Sequence, residues 1–539
     1  MDAKMFSFLE PWPLSPIATC IVVVAAAYAL AYQSATQKLD TKEPPVIAPV
    51  IPFIGHILGM ALHGGKYIKN LGTRNRHLPI FTLPVPGSRI YIVTEPSLAA
   101  AVQRASKVLS FTPIIPEVTE RVLGLDKPTM DITRKNLDPG PGDERGFLAD
   151  IQDMVYAMFG PGSYLNEISL DAAQELRNEV HAFAASHEAH HDQKEPIDLL
   201  GWVRHFVTVS TAKYFYGPQN PISLDPKLEE HFWDFDHGLG KLLINVIPSI
   251  TAGKAYKGRE LLVRALEKYL EAGHHKTGSK IVQKRVEIAL QHGWTLRATA
   301  RSELSFLFAG IVNATTSTFW ILLQIFADPQ LLTTVREEIT QAIRENSSND
   351  IGPHKNYRLS VAELKDRCPM LLAVCRECLR LGSDNYSTRM VKENTLLADR
   401  YFLKKGAVVQ IAGGVIHADQ SIWGDNVEDF NPGRFLEPRQ QSGAAKQNQI
   451  HPAAFRAFGG GKTLCPGRHF AMNEILSLVS LVILMFDMEA ADGGKIKVPR
   501  KNDGVLPVHI LEPISPVEVL ISRRRDKHAE ICSNIEFDM

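Results

Sequence analysis

The first clear pattern of hydrophobic and polar positions is a long apolar run near the amino terminus. No charged residue occurs between Glu10 and Lys38, and residues 14–32 are almost continuously apolar. As a helix this run would be about 28 Å long, which matches the hydrocarbon core of a bilayer. The pattern therefore predicts one N-terminal transmembrane helix within a membrane anchor formed by residues 1–37.

A cleaved signal peptide is the alternative interpretation of this segment, but such a peptide begins with a strongly basic region. Here Lys4 is balanced by Asp2 and Glu10. The anchor is followed by a proline-rich linker, residues 38–55, which is stiff enough to hold a domain away from the membrane. The rest of the chain has no second apolar run of comparable length, so we expect a single-pass anchor with one large domain beyond it.

Helical periodicity dominates residues 165–382, and β-like runs lie before and after this region. Residues 301–327 are mostly apolar and predict one helix of roughly 40 Å, which we expect to be central. The β-like runs lie at residues 89–94, 395–411 and 505–521. These patterns predict a mainly α domain with minor β sheets over residues 56–525, followed by a C-terminal tail at 526–539.

Composition narrows the function of this domain. The chain has 539 residues, of which 45% are hydrophobic and 22% charged, so it is not a disordered protein. Its 59 basic residues equal its 59 acidic residues, which argues against a nucleic-acid partner. Six cysteines are too few for a disulfide scaffold and suit a reducing compartment.

Three motif matches do not carry function. Residues 187–191 fit the zinc-protease spacing H-E-x-x-H, but they lie in a polar stretch without an obvious third ligand and indicate a solvated helix end. Residues 459–463 resemble the end of a phosphate loop, but its first glycine would fall on Arg456. Cys375 and Cys378 have redox spacing within a helix-like run, which indicates buried helical thiols.

A fourth motif carries chemistry. Residues 458–471 read F-G-G-G-K-T-L-C-P-G-R-H-F-A, so a glycine-rich loop presents Cys465 just before an apolar helix at 471–486. A thiolate near a helix N-terminus is stabilised by the helix dipole, and glycines allow backbone amides to approach the sulfur. Such hydrogen bonds tune a metal-bound thiolate.

This segment resembles the haem-thiolate loop of the cytochrome P450 family. The resemblance implies a cytochrome P450 fold and a haem b cofactor whose iron takes Cys465 as its axial ligand. It implies that the cofactor-binding residues are Phe458, Gly461, Cys465, Gly467 and Arg389, the last in a position where the family often contacts a haem propionate. The usual W-x-x-x-R propionate contact is missing, and Thr463 stands where Arg or His often precedes the cysteine.

Two further segments match the family in the same order. The run Glu377-Cys-Leu-Arg380 resembles its E-x-x-R helix, and residues 430–435 resemble its P-E-R-F loop with Gly433 in place of Glu. Within an apolar helix, Glu377 and Arg380 are spaced to form an ion pair. The resemblance implies a structural triad of Glu377, Arg380 and Arg434 beneath the haem.

The long helix should cross above the haem, where Ala309-Gly310 resembles the family's oxygen-binding groove. The resemblance implies a substrate pocket lined by Phe306, Ala309, Gly310 and Ser383. This chain departs from the family pattern there, because Val312 takes the acidic place and Asn313 the threonine place. Asn313 can still donate and accept hydrogen bonds and is the candidate catalytic residue. An asparagine here resembles the branch with sterol 7α-hydroxylase and prostacyclin synthase, and the style of the loop resembles fungal secondary-metabolism members.

The resemblance implies a monooxygenase in which the thiolate favours O–O cleavage at the haem iron. We expect it to hydroxylate or epoxidise a lipophilic small molecule such as a terpenoid, sterol, polyketide or alkaloid. Electrons would come from a separate NADPH-cytochrome P450 reductase, docking near Arg456, Lys462, Arg468 and His469. The alternative is an isomerase or dehydratase of the same fold that acts on a peroxide or preoxidised substrate without external electrons.

The anchor fixes the expected location. Lys38 and Lys42 follow the apolar run directly and favour a cytosolic position for the catalytic domain. We therefore expect a single-pass protein of the endoplasmic reticulum membrane. Residues 242–250 are apolar and either dip into the membrane surface or pack in the core.

Overall fold

The computed structural model describes residues 16–189, 195–345, 357–436, 450–526, 531 and 534–539, and this part of the chain is mostly helical. Its α-helices are α1 Pro16–Thr36, α2 Gly55–His63, α3 Gly65–Arg74, α4 Pro96–Arg104, α5 Ile114–Leu123, α6 Lys127–Thr133, α7 Phe147–Met158, α8 Ser163–Ala189, α9 Leu199–Tyr216, α10 Pro221–Leu224, α11 Pro226–His237, α12 Leu239–Ile244, α13 Pro248–Thr251, α14 Gly253–Glu271, α15 Lys280–Gln291, α16 Leu296–Ala327, α17 Pro329–Ala342, α18 Leu364–Arg367, α19 Pro369–Gly382, α20 Gly413–His417, α21 Gln420–Trp423 and α22 Arg468–Met485.

The strands are short and form small sheets. They are β1 Ile80–Val85, β2 Ser88–Val93, β3 Leu109–Ser110, β4 Ile197–Asp198, β5 Arg344–Glu345, β6 Tyr357–Ser360, β7 Tyr386–Val391, β8 Thr395–Leu397, β9 Tyr401–Leu403, β10 Val408–Ala412, β11 Phe486–Ala490, β12 Glu518–Arg523 and β13 Ile535–Asp538. The largest sheet has the order β1-β2-β10-β7-β3, with β10 parallel to β2 and antiparallel to β7. The prediction of a mainly α protein with minor β sheets is confirmed.

The long helix α16 runs through the largest hydrophobic core and packs against α9, α14, α19 and α22. It begins at Leu296, five residues before the predicted start, because the Thr295 side chain caps the helix by accepting from the Ala298 N–H. It ends at Ala327, directly before an Asp-Pro pair that starts the next helix. A central helix places its residues within reach of several elements at once.

Among the residues that the structure describes, two helices, α16 and α22, are long and apolar enough to cross a membrane, but most of each is buried inside the protein. Both are therefore core helices by their surroundings. The amino-terminal helix α1 differs, because its large apolar side chains are exposed, with Val24 and Leu30 each 68% accessible. Over the residues whose side chains are described, its apolar stretch spans Cys20–Ser34.

Part of the predicted linker is packed against the large sheet. Glu43 is only 2% exposed, accepts a hydrogen bond from Tyr91 at 3.0 Å and lies 3.4 Å from the Arg89 guanidinium. Val46 forms a parallel bridge with Thr82 on β1. The folded body thus includes the chain from about residue 43 onward, and the start of the body is fixed to the sheet.

The carboxyl-terminal third differs from the predicted pattern in one region. The β-like run at 505–521 contains only the start of one strand, β12, and residues 505–517 form an irregular loop. The end of the chain packs on the body, because β13 pairs in parallel with β6 and buries Ile535 and Phe537. The irregular loop folds back over α16 and forms hydrogen bonds with Asn313 and Trp320.

Candidate functional site

The cysteine loop has the tight geometry that its glycines predict. Gly459 and Gly461 have φ angles of 74° and 61°, a region that favours glycine. A side chain at Gly460 would meet Gln103, whose Nε2 atom lies 2.1 Å from an ideal Cβ position. The Cys465 N–H donates to the Phe458 carbonyl at 2.9 Å, which closes the loop three residues before α22 begins.

The Cys465 thiol is half-buried, and burial raises its pKa. The Gly467 N–H and the Arg468 charge oppose this rise but do not outweigh it. The loop and the helix start alone therefore do not lower the pKa of this thiol. A metal ion bound here would supply the positive charge that favours the thiolate, since coordination deprotonates a thiol. The single sulfur donor that the loop presents fits a haem iron.

The long helix α16 packs against α22, the helix that follows Cys465. Within its buried middle, Ala309 and Asn313 are exposed and Gly310 is half-exposed, so one face of the helix borders an open space. An aromatic cluster joins α16 to α22: Phe215 lies between Phe306 and Phe470, with ring centroids 4.9 Å and 5.7 Å away. This packing sets the spacing between the exposed helix face and the helix that follows Cys465.

The orientation of the Asn313 side chain is fixed. Its Oδ1 atom accepts a hydrogen bond from the Ile510 backbone N–H at 3.0 Å. In a carboxamide only the oxygen can accept a hydrogen bond from a backbone N–H. The NH2 group of Asn313 is therefore free to donate to a ligand. Val312 is fully buried, so the place of the family's acidic residue contributes no polar group to the exposed face.

Two buried guanidinium groups lie beside the loop. Arg389 on β7 donates to the Thr463 hydroxyl, and Arg456 donates to Ser387 at 3.0 Å. Neither has a carboxylate partner among the described residues, and the Arg456 Nε has no hydrogen-bond partner there. Burial, with the charge of Arg389, lowers the pKa of Arg456 to about 10. Two unneutralised cations beside the cysteine loop fit the carboxylates of a haem.

Arg456 was missed by the sequence interpretation, which placed it on the surface as a docking residue. It is 1% exposed, so that prediction is wrong. No motif in the chain marks the residue two positions before Phe458. That Arg456 has no carboxylate partner among the described residues can be known only from the three-dimensional structure. Of the other proposed docking residues, Lys462 is exposed, while Arg468 and His469 are half-buried.

The structure brings the predicted triad together. Arg380 makes two hydrogen bonds to Glu377, at 2.8 and 2.7 Å, and Arg434 lies 3.2 Å from the same carboxylate. Glu377 and Arg380 are at most 1% exposed. Arg380 also donates to the carbonyls of His417 and Val427, so the triad ties α19 to the end of α20 and to the turn after α21.

Two predicted pocket residues do not lie at the exposed helix face. Phe306 is 8% exposed and packs in the aromatic cluster. Ser383 is 1% exposed, and its carbonyl accepts from His417 Nδ1 at 2.9 Å. His417 Nε2 in turn accepts from the Arg456 N–H at 2.8 Å, so this part of the chain supports the loop instead of lining a pocket. Ala309 is exposed at this face, whereas a side chain at Gly310 would point to Phe215 and Thr211 on α9.

The dismissed cysteine pair is structural as predicted, because Cys375 and Cys378 are buried in α19 and burial raises the pKa of both thiols. Residues 190 and 191 of the zinc-protease match lie outside the described residues.

The tyrosine of α7, Tyr156, donates to the carbonyls of Lys462 and Leu464 at 2.9 and 2.7 Å. This helix therefore holds the cysteine loop from the side.

The fold and the site together define a haem-thiolate type of protein. A family model described as cytochrome P450 matches residues 176–516. The chain is 32% identical to the cytochrome P450 monooxygenase nodJ of Hypoxylon pulicicidum over 90% of this chain and 91% of that protein. It is 28% identical to a cytochrome P450 monooxygenase of Gibberella zeae, over 84% and 83% of the two chains. It is 26% identical to cytochrome P450 7A1 of Rattus norvegicus, over 51% and 56%.

The chain belongs to the cytochrome P450 family. It is an oxidoreductase of the cytochrome P450 monooxygenase class, and the cofactor of the family is haem with a cysteine thiolate as axial ligand. The predicted similarity to fungal members and to the branch with sterol 7α-hydroxylase is confirmed by these relatives. Enzymes of this class take electrons from a redox partner and act on small molecules.

Proposed function

We propose that this protein hydroxylates or epoxidises a lipophilic small molecule, such as a terpenoid, sterol, polyketide or alkaloid, in secondary-metabolite biosynthesis. The observation that carries the proposal is the pair of unneutralised arginines beside a glycine loop that presents Cys465. The similarity to fungal monooxygenases over nine tenths of the chain supports the biosynthetic setting.

In this proposal Cys465 is the axial ligand of haem b, and Phe458, Gly461 and Gly467 form the cradle around it. Arg389 and Arg456 hold the two propionates, and together they replace the missing W-x-x-x-R contact. The bound haem supplies oxygen activation. The exposed side chains of Ala309 and Asn313, with Gly310 between them, line the space where the lipophilic substrate and dioxygen are held.

Asn313 contributes a hydrogen-bond donor on the distal side. Its oxygen is committed to Ile510, so its NH2 group donates to a ligand but does not accept and pass on a proton as an alcohol does. We therefore assign Asn313 the role of orienting the oxygen ligand. Proton delivery then depends on water admitted to the exposed helix face.

NADPH-cytochrome P450 reductase is the proposed electron donor. Arg456 is no longer part of its docking surface, because the side chain is buried. The exposed Lys462 and the half-exposed Arg468 remain as candidates to contact an acidic partner surface.

The proposed location is the endoplasmic reticulum membrane, with a single-pass anchor at residues 1–37 and a cytosolic catalytic domain. Apart from α1, a patch of exposed apolar side chains supports membrane contact; its members are Ile54, Ile57, Leu58, Leu62, Ile244, Val246, Ile247, Ile250, Val505 and Val508. The loop that holds Val505 links two parts of this patch, since the Val505 carbonyl accepts from the Gly65 N–H at 2.8 Å. Patches of this kind mark interaction sites.

Turnover experiments test the proposed reaction. The full-length protein is incubated with a panel of terpenoids, sterols, polyketides and alkaloids that shift its haem spectrum, with and without reductase, NADPH and dioxygen. The proposal predicts oxygenated product only when all three are present. Product that forms without dioxygen and NADPH would overturn it in favour of the isomerase or dehydratase alternative. That alternative is the main competitor because Val312, which takes the place of the family's acidic residue, is apolar and buried.

A further inference from the structure

The irregular carboxyl-terminal loop folds back over α16 as a short turn, residues 509–512, which we call the distal turn. Besides the bond from Ile510 to Asn313, the Leu511 carbonyl accepts from Trp320 Nε1 at 2.9 Å. The Leu511 N–H donates to the Gly382 carbonyl at 3.0 Å. The distal turn thus contacts α16 at two points, seven residues apart, and its placement decides how the Asn313 carboxamide is oriented.

Two side chains of the distal turn reach the end of α11. The His509 Nε2 atom lies 3.4 Å from Oδ1 of Asp236, and the His237 Nε2 atom lies 3.5 Å from Oε2 of Glu512. Glu512 also bonds to Arg204 on α9, whose guanidinium stacks 4.6 Å above the Trp233 ring. Two helices, α9 and α11, are therefore joined to the turn that orients Asn313.

Asp236 is the unusual member of this cluster. It is 2% exposed, and neither of its carboxylate oxygens has a hydrogen-bond partner among the described residues. Buried polar groups are normally satisfied, and an exception has a cost that some interaction must offset. The charged groups that face Asp236 are His509 and Glu512 from the distal turn, His237 from α11 and Arg204 from α9. Of these groups, His509 on the distal turn lies within ion-pair distance, with Nε2 at 3.4 Å from Oδ1 of Asp236.

We propose that Asp236 and Glu512 are positioning residues for the monooxygenase reaction: through His509 and Arg204 they hold the distal turn, so that Ile510 keeps the Asn313 amide group directed to the ligand. The inference rests on the proposed role of Asn313 as the distal donor. The side chains involved lie outside the family's motifs in this sequence. They compensate for α16, which has Val312 and Asn313 in the places of the family's acidic residue and threonine.

The pH dependence of this cluster follows from its charges. The hydrogen bond from Glu512 raises the pKa of His237. Burial is the largest influence on the Glu512 carboxyl and acts to raise its pKa, but His237 and Arg204 together lower that pKa to about 2. The His237–Glu512 contact is therefore fully charged below the ordinary histidine pKa and is lost as pH rises through the raised pKa of His237. The protection of the Ile510 amide, which is its exchange rate relative to the intrinsic rate at the same pH, should therefore fall over this range.

Hydrogen exchange measures the hold on the turn directly and does not depend on catalysis. We expect Glu512→Gln and Asp236→Asn to raise the exchange rate of the Ile510 amide about tenfold in the haem-loaded protein, corresponding to roughly 1.4 kcal/mol. Glu518→Gln, at an exposed glutamate on β12, is the matched control and should leave it unchanged. Unchanged protection in both cluster variants would overturn the proposal. Glu512 is partly exposed, so its variant keeps the test available if Asp236→Asn does not fold.

A double-mutant comparison tests whether the cluster acts through Asn313. The readout is the fraction of NADPH electrons released as hydrogen peroxide with a substrate bound. If Glu512 acts through Asn313, Glu512→Gln and Asn313→Ala each raise this fraction severalfold, and the double variant equals Asn313→Ala alone. Additive effects would contradict the proposal. The reduced, CO-bound spectrum of each variant verifies that the thiolate site is intact.

The variant Asn313→Asp separates this inference from the proposed function. It keeps an oxygen for the Ile510 N–H but removes the NH2 donors. If Asn313 is the distal donor, Asn313→Asp raises peroxide release while the Ile510 amide stays protected. Unchanged peroxide release in Asn313→Asp would refute the donor role, whereas the exchange results for Glu512→Gln would still decide whether the cluster holds the turn.

Discussion

At the scale of single residues, the site combines groups that sequence motifs identify and groups that they do not. Cys465 and the triad were predictable, because their spacing is set by local backbone geometry in a loop or on one helix face. Arg456 was not, because its role depends on the absence of a carboxylate in its surroundings. The orientation of Asn313 was also hidden, since its partner Ile510 is 197 positions away in the sequence.

The first prediction concerns Arg456. A buried guanidinium without a counter-ion is costly in the haem-free chain and favourable once propionates are bound. Arg456→Gln should therefore raise the thermal stability of the haem-free protein while it speeds haem transfer to apomyoglobin roughly tenfold or more. Arg104→Gln, at an exposed arginine near Gln103, is the control. Equal haem retention in the two variants would exclude the propionate role.

A second prediction concerns the triad. Glu377→Gln removes the carboxylate that two buried arginines share, and we expect a loss of about 3–5 kcal/mol in the free energy of unfolding. The exposed pair of Arg344 and Glu363 offers a matched comparison, since Glu363→Gln should cost less than about 1 kcal/mol. Denaturant titrations of the haem-loaded proteins measure both values. A small effect at Glu377 would show that the triad is not a structural centre.

At the scale of elements, helices α9 and α22 meet at a buried carboxyl group. Glu474 on α22 accepts from Tyr214 at 2.9 Å and from Thr211 at 3.4 Å, and its hydrogen-bond partners in the described part of the chain include no cation. Burial is the largest influence and raises its pKa to about 7. Apolar periodicity predicted these helices well, but the polar contact between α9 and α22 could not be predicted, because one sequence does not reveal which helix faces meet.

Glu474 predicts a pH-dependent stability. Because its folded-state pKa is raised, its contribution is fully present below the ordinary glutamate value near 4.5 and is lost as pH rises through about 7. Glu474→Gln should therefore abolish part of the fall in melting temperature between pH 5 and pH 8. At pH 8 the variant should be the more stable protein by roughly 3 kcal/mol. Parallel melting curves for the two proteins would contradict this assignment.

At the scale of the whole molecule, the sequence predicted a mainly α fold with minor β sheets, and the structure has it. The boundaries were less predictable. Glu43 lies inside a segment whose prolines indicate a linker, yet its carboxylate is buried against Arg89 on β2. The last strand, β13, pairs with β6, and the local sequence around β13 gives no indication of this pairing. Such contacts join distant parts of the chain and leave no local pattern.

The exposed apolar patch leads to a prediction at this scale. Deleting residues 1–37 should weaken binding to phosphatidylcholine vesicles without abolishing it, because the patch remains. In the truncated chain, Ile247→Ser with Ile250→Ser should remove the residual cosedimentation, whereas Leu290→Ser, at an exposed leucine elsewhere, should not. Full release by the deletion alone would show that the patch makes no membrane contact.

The central claim is that Cys465 ligates a haem iron in this body, and the spectrum of the reduced, CO-bound protein tests it most directly. The wild-type chain should show the red-shifted Soret band of thiolate ligation. Cys465→Ser should lose that band, while Cys375→Ser, at a buried thiol on α19, should keep it. A wild-type spectrum without the band, or a Cys465→Ser spectrum that retains it, would contradict the account.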